Sequence, residues 1–321
     1  MRFEASDIAW KGEGLDRPEC VLCTASGDSY VSRRTGLSRV RADGRTEHRE
    51  LGPASDWMVN GIAIDADGSF LLANLGGLGG VWRWTPRTGP VPFLAELDGA
   101  PLPGAVNYVG IDARRRAWIS ISTRLSPRDL AFNRGVDDGF IVLVDERGAR
   151  IACDGLGFTN ESHVDPSGRW LYVNETYARR MTRFPLAEDG TLGRRETVAE
   201  FRDGAFPDGM AFDAQGNAWL ACVVANRLLR VTPEGRQEVL LDGSDPATSR
   251  AADEAWEAGR FDRPTLNRGE KLAFGNLASV AFGGPDLRTL HMGSLAGTRL
   301  ATLRVPVAGA RPHHWLARPG F

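Results

Sequence analysis

The stretch from Phe206 to Ala221, FPDGMAFDAQGNAWLA, is one copy of a pattern that recurs along the chain. Asp208 precedes a short apolar run, Met210-Ala211-Phe212. A tight turn, Asp213-Ala214-Gln215-Gly216-Asn217, follows, and a second apolar run, Ala218 to Ala221, returns. Two apolar runs around an Asp/Gly turn specify a β-hairpin, with Asp208 where the chain enters it. Further copies are GFTNESHVDPSGRWLYVNE from Gly157, AVNYVGIDARRRAWIS from Ala105, MVNGIAIDADGSFLLAN from Met58 and RPECVLCTASGDSYVS from Arg17. A degenerate sixth copy, GNLASVAFGGPDLRTLHMGS, begins at Gly275. Asp208 stands five residues before Asp213. The same register holds Asn160 before Asp165, Asn107 before Asp112, Asn60 before Asp65 and Glu19 before Thr24. The sixth copy has Ala278 there.

The spacing of these markers fixes the fold class. They lie 41 (19 to 60), 47 (60 to 107), 53 (107 to 160), 48 (160 to 208) and 70 (208 to 278) residues apart. Repeats of roughly 40 to 50 residues made of short strands and turns are propeller blades. Each hairpin is followed by a second strand pair. Examples are Leu37 to Val40 with Thr46 to Leu51, Phe140 to Val144 with Arg150 to Cys153, and Arg227 to Val231 with Glu238 to Leu241. Four strands in each of six repeats predict an all-β fold, a single six-bladed β-propeller domain over residues 1–321. The N-terminal strand, about Phe3 to Trp10, is expected to close the last blade beside Leu300 to Val305. Closure of this kind leaves only short, protected sheet edges. Two segments exceed the repeat, 123–138 and 243–272. The second contains Ser249 to Trp256, with apolar residues at helical spacing, and predicts a short amphipathic helix capped near Thr248 or Ser249.

Composition narrows the partners. The chain has 321 residues and a net charge of −2, so nothing invites a nucleic-acid or acidic partner. No window approaches a membrane-spanning length, and the start, MRFEASDIAWKGEG, has no apolar signal core; a cytoplasmic location is expected. Cys20 and Cys23 form a CxxC without a second pair, and on a strand they point to opposite faces. The chain has no GxSxG, no HExxH and no P-loop. The glycine-rich Leu75 to Gly80 lies between strands and reads as a loop.

The chemistry is read from the register. In a propeller the first strand of each blade lines the central channel. The markers Glu19, Asn60, Asn107, Asn160 and Asp208 therefore converge on one channel mouth. They offer carboxylate and amide oxygens without thiolate or imidazole. That set suits a hard cation, calcium above all, with magnesium, manganese or zinc as alternatives. Asn and Asp also close turns at strand starts. Two positions argue for ligation instead: Glu19 is a poor turn residue, and Asp208 replaces Asn at one place only, which sets two acids among neutral amides. The loop at 123–138 and the insertion at 243–272 are expected at the same mouth, over a small-molecule site.

These residues resemble the regucalcin/gluconolactonase family of six-bladed propeller lactonases, also called senescence marker protein-like. The matching signatures are Phe206-Pro207-Asp208-Gly209 with Asp213 and Gly216, Gly157-Phe158-Thr159-Asn160 with Leu171-Tyr172-Val173, Pro18-Glu19, Asn107, and Phe282-Gly283-Gly284-Pro285-Asp286. The resemblance implies one divalent cation held by Glu19, Asn160 and Asp208. It implies Asp208 as general base and Asn107 as a catalytic or substrate-shell residue, with Asn60 in the same shell. The family's Asn-Asp-Gly is here Asn107-Tyr108-Val109. A sugar-binding arginine of animal members falls at Ala105, and a glutamate of similar role falls near Leu125. Tyr108, Trp57 and Met58 are accordingly expected near the mouth, facing a less polar substrate. The implied activity is hydrolysis of a small lactone or ester. Phosphotriester hydrolysis on the same mouth, and a non-catalytic propeller braced by its metal, are the rival readings.

Overall fold

The computed structural model describes residues 1–321 and forms six four-stranded antiparallel sheets. Blade 1 comprises Val21–Cys23, Ser29–Arg33, Gly36–Val40 and Thr46–Glu50. Blade 2 comprises Val59–Ile64, Phe70–Asn74, Val81–Thr85 and Gly89–Leu94. Blade 3 comprises Val106–Ile111, Ala117–Ile121, Gly139–Asp145 and Gly148–Leu156. Blade 4 comprises Thr159–Val164, Trp170–Glu175, Arg180–Pro185 and Glu196–Glu200. Blade 5 comprises Ala205–Phe212, Ala218–Val224, Arg227–Val231 and Gln237–Asp242. Blade 6 joins Leu277–Gly283, Thr289–Ser294 and Leu300–Arg304 to the N-terminal strand Ala9–Lys11. The fold is the six-bladed β-propeller that the repeat predicts.

Burial grades outward along each blade. The inner strand Val59–Ile64 and its neighbour Phe70–Asn74 are buried throughout, whereas the outer strand Thr46–Glu50 is polar and half exposed. Charged outer strands are a way to keep sheet edges from pairing with other chains. Adjacent blades pack face to face. Ala63 and Leu71 of blade 2 share one apolar cluster with Val109, Ile119 and Val142 of blade 3.

The ring closes where expected but with a shorter strand. Ala9 pairs with Thr302 and Lys11 with Leu300. Residues Ala5–Asp7 form a 3-10 turn instead of strand, because Glu4 and Asp7 cap it reciprocally. Phe3 leaves the blade and donates its N–H to the Leu240 carbonyl of blade 5 at 2.7 Å. The helix in the insertion also starts early, spanning Pro246–Glu257. Asp245 takes the cap by accepting from the Thr248 N–H, and Pro246 supplies a preset first turn. A small extra hairpin, Glu96–Leu97 with Ala100–Pro101, separates blades 2 and 3.

The turn aspartates are structural. Asp213 accepts from the Gln215 and Asn217 N–H groups, from the Asn217 amide, and from Trp219 Nε1 at 2.9 Å. Asp112 repeats this with the Arg114 and Arg116 N–H groups and Trp118 Nε1 at 3.0 Å. Trp118 and Trp219 are fully buried, so each indole N–H would otherwise lack a partner. Asp213→Ala should therefore lower unfolding stability by about 1–3 kcal/mol in a urea titration. An unchanged midpoint would show that the turn holds without its carboxylate.

Candidate active site at the channel mouth

A shared irregularity builds the mouth. In blades 2 to 6 the pairing of the first two strands slips at the marker position. The slips fall between Val59 and Ile62, Val106 and Tyr108, Thr159 and Ser162, Pro207 and Met210, and Leu277 and Ser279. Such bulges leave residues unpaired and re-aim their side chains. They free Asn60, Asn107, Asn160 and Asp208 from the ladder, and Ala278 in the blade that carries no polar marker. In blade 1 the regular strand begins only at Val21, so Glu19 sits in the loop before it.

The structure links these residues into two arcs. In the first, Asn60 Nδ2 donates to Glu19 Oε1 at 2.9 Å, to Asn107 Oδ1 at 3.1 Å and to the Asn107 carbonyl at 3.0 Å. Arg17 Nη2 donates to Asn60 Oδ1 at 2.7 Å, which fixes that amide's orientation. In the second, Asn160 Nδ2 donates to Thr176 Oγ1 at 2.9 Å, and Thr176 donates to the Pro207 carbonyl at 2.8 Å. Asn174 Nδ2 holds the Asp208 carbonyl at 2.9 Å. All five markers are buried. Two of their oxygens, Glu19 Oε2 and Asn160 Oδ1, are buried without any hydrogen-bond partner.

Electrostatics sharpen the deficit. Burial pushes the Glu19 carboxyl up to about 7; Arg17 and Arg128 pull it back and Glu161 pushes it further. Burial also holds the Asp208 carboxyl well above the usual range, reinforced by the nearby Glu19 and Glu161 charges. Two carboxylates that repel each other beside orphaned oxygens fit a bound cation: it would supply the missing partner and offset both charges. The donor set is two carboxylates and one amide oxygen, which are hard ligands. No three His, Cys, Asp or Glu side chains group closely enough to hold a metal by themselves.

The two long segments meet over the mouth. Ala131 and Phe132 of the first segment join Ala252, Phe261 and Leu266 of the second, around Phe158, Tyr177 and Phe206 of the ring. Phe132 stacks on Tyr177 with ring centroids 4.4 Å apart. Arg263 bridges the segments by donating from Nε to Asp129 Oδ2 at 3.1 Å.

Other expected residues lie elsewhere. Tyr108 is buried and turns away from the mouth along the channel, its hydroxyl 3.1 Å from His163 Nε2. A Cβ on Gly110, two residues further along the strand, would touch that ring. Trp57 packs edge-on against Trp82 in the core. Tyr108 and Trp57 thus give the mouth no apolar lining, while Met58, part-buried two residues before Asn60, and the cluster of Phe132, Phe158, Tyr177 and Phe206 remain beside it. Beyond the ring, Tyr108, His163, Met210 and His314 line a cavity of about 300 Å³. The C-terminal segment runs past this far side, with Ala310 donating to the Phe212 carbonyl at 2.9 Å. Cys20 and Cys23 are free thiols in separate apolar clusters.

Several site residues escaped sequence reasoning. Glu161 follows Asn160 inside the same bulge and accepts from the Met210 N–H at 2.9 Å and from His163 Nε2 at 3.0 Å. Only its adjacency to a marker pointed to it. Arg17 sits in a left-handed backbone conformation, φ 55°, which turns it toward Asn60. Arg128 lies in the 3-10 turn Arg128–Ala131 of the first long segment, where no periodicity signals it.

Comparison with known proteins places this architecture. A family model described as SMP-30/Gluconolactonase/LRE-like region matches residues 33–249. The chain is 31% identical over 211 residues to a 6-deoxy-6-sulfogluconolactonase of Pseudomonas putida, covering 65% of this chain and 60% of that protein. It is 33% identical over 257 residues to a pentonolactonase of Haloferax volcanii, covering 76% of this chain and 70% of that protein. A solved structure of a calcium-binding protein, regucalcin, from Agrobacterium tumefaciens superposes with a TM-score of 0.68 at 20% identity, over 96% of this chain and 93% of that one. At that identity the likeness speaks for the fold alone. The family model spans most of the chain, and the chain belongs to the SMP-30/gluconolactonase/LRE-like family.

Proposed function

We propose that the channel mouth is the active site of a metal-dependent lactonase acting on a sugar-acid lactone. The observation that carries this reading is the pair of orphaned oxygens, Glu19 Oε2 and Asn160 Oδ1, beside the raised carboxyl of Asp208. The names of the two sugar-lactonase relatives support the substrate class.

Glu19, Asn160 and Asp208 would hold one divalent cation, for which calcium fits the oxygen donors best. When bound, the cation supplies Lewis-acid polarisation of the lactone carbonyl and offsets the charge that develops on its oxygen. The remaining work falls to side chains. Asn60 donates to Asn107 Oδ1, which leaves the Asn107 amide nitrogen as a donor for a substrate oxygen. Asp208 accepts a proton from the attacking water as the new C–O bond forms at the lactone carbon. The ring C–O bond then breaks, and the departing alkoxide takes the proton back. The product is the open hydroxy acid. Burial and the neighbouring acids hold the Asp208 carboxyl up in the metal-free site; a bound cation would lower it again, so the base role is assigned on its place beside the reacting carbonyl.

A panel of gluconolactones and pentonolactones, followed with a pH indicator, tests the reading. Turnover should vanish with a chelator and return with calcium. Hydrolysis of organophosphates but not lactones would favour the phosphotriesterase reading. Metal binding without turnover of either class would leave a binding propeller.

A further inference from the structure

We infer that Arg128 is a specificity residue that receives an anionic group, carboxylate or sulfonate, on the tail of the lactone; this rests on the lactonase reading. Four observations converge. Arg128 stands on the first long segment, at the rim of the mouth, with its guanidinium carbon 5.5 Å from the centre of the Phe158 ring. Phe158 lies two residues before Asn160. Arg128 Nη1 is buried and has no hydrogen-bond partner. The adjacent carboxylate that could have paired with it, Asp129, is taken by Arg263.

The other cations of the mouth are spoken for. Arg17 donates to Asn60 and to the Val59 carbonyl, and Arg263 is paired with Asp129. Arg179, over the Phe206 ring, also keeps a buried, unpartnered Nη2, but its Nη1 is paired with Asp253 at 2.8 Å, whereas Arg128 has no ion-pair partner. Burial, together with repulsion from Arg263 and Arg17, pushes its guanidinium down to about 10. A guanidinium so placed lacks an anion.

Arg128 is close enough for its charge to be felt by both Glu19 and Asp208. A divalent cation on those two acids would neutralise them. The acid that remains, Glu161, already accepts from the Met210 N–H and His163 Nε2, so Arg128 would lack a paired anion. A substrate whose reacting carbonyl lies at the acids and whose tail ends in an anion satisfies both halves. A planar guanidinium presents two parallel N–H donors to a carboxylate or sulfonate, a match that neutral sugar hydroxyls cannot equal.

The test compares three lactones on the calcium-loaded protein: D-gluconolactone, which is neutral; D-glucarolactone, which carries a carboxylate; and 6-deoxy-6-sulfogluconolactone, which carries a sulfonate. The wild type should prefer at least one anionic lactone over the neutral one by about 10- to 100-fold in kcat/KM, the scale of one charge-assisted contact. Which of the two leads identifies the anion. Arg128→Met should collapse that ratio toward one, and Arg128→Lys should keep part of it.

A second readout does not need turnover. In titration calorimetry D-glucarate should bind the calcium-loaded protein more tightly than D-gluconate, and Arg128→Met should erase the difference. Equal binding of the two acids by the wild type, or ratios unchanged in Arg128→Met, would overturn the inference. If the variant alters only calcium affinity, Arg128 is merely the counter-charge of the acids, and the inference fails. Should no lactone be hydrolysed while glucarate binding still depends on Arg128, the anion site stands and the lactonase reading falls. Should neutral lactones be hydrolysed with no ratio to lose, the reverse holds.

Discussion

Asp208→Asn should lower kcat by at least 10²- to 10⁴-fold while leaving the fold intact, because removal of a general base alone costs about that much. The change is nearly isosteric at a buried position. The bond from Asn174 goes to the Asp208 carbonyl, and the neighbouring Met210 N–H is held by Glu161, so the backbone stays anchored. What disappears is one of two mutually repelling charges. The loss weakens the cation's hold and also removes the proton acceptor, so saturating calcium should restore only part of the rate. Glu19→Gln is the informative contrast. It removes the other charge but leaves Asp208, and excess calcium should return most of its activity. Both variants are to be followed across a calcium titration, with circular dichroism to confirm folding. Equal recovery of the two at high calcium would make Asp208 a ligand only and would put the base elsewhere.

The repeat was legible because each hairpin carries two independent signals, an aspartate that closes the turn and apolar runs on either side. Asp112 and Asp213 show why the first recurs: each saturates a turn and a buried tryptophan. The marker five residues earlier was legible only as a register. Its meaning comes from the bulges at Val59/Ile62, Thr159/Ser162 and Pro207/Met210, and the direction of a side chain in a bulge is not fixed by strand alternation. The same ambiguity hid Glu161 and led Tyr108 to be expected at the mouth, whereas its ring runs along the channel to His163. Arg128 was invisible for a different reason. It lies in a loop whose conformation depends on contacts with the second insertion, 134 residues away in sequence at the Arg263–Asp129 pair. The N-terminal strand was overextended because Glu4 and Asp7 cap a turn that competes with pairing.

Calcium should stabilise the protein more at pH 8 than at pH 5, and Glu19 should account for a separable part of that difference. In the metal-free protein the Glu19 carboxyl is raised from 4.5 to about 7, chiefly by burial. The folded state thus keeps a proton that the unfolded chain releases between those values. Folding of the metal-free protein is opposed increasingly as pH rises through this window, and the penalty is complete above about 7. For Glu19 alone it is on the order of 3 kcal/mol. Asp208 is shifted in the same direction and adds to it. Two buried histidines act oppositely. His291 and His314 are lowered from 6.5 to about 4 and about 3 by burial, so they favour folding as pH rises toward 6.5. The Glu19 contribution is therefore read as the difference between wild type and Glu19→Gln, which cancels the histidines. In thermal melts without metal, Glu19→Gln should gain stability over wild type as pH goes from 5 to 8. Added calcium replaces the proton, so its stabilisation of the wild type should grow over the same interval and exceed that of the variant. A wild-type-minus-variant difference that stays flat from pH 5 to 8, with the same calcium gain at both ends, would mean that Glu19 does not face the cation.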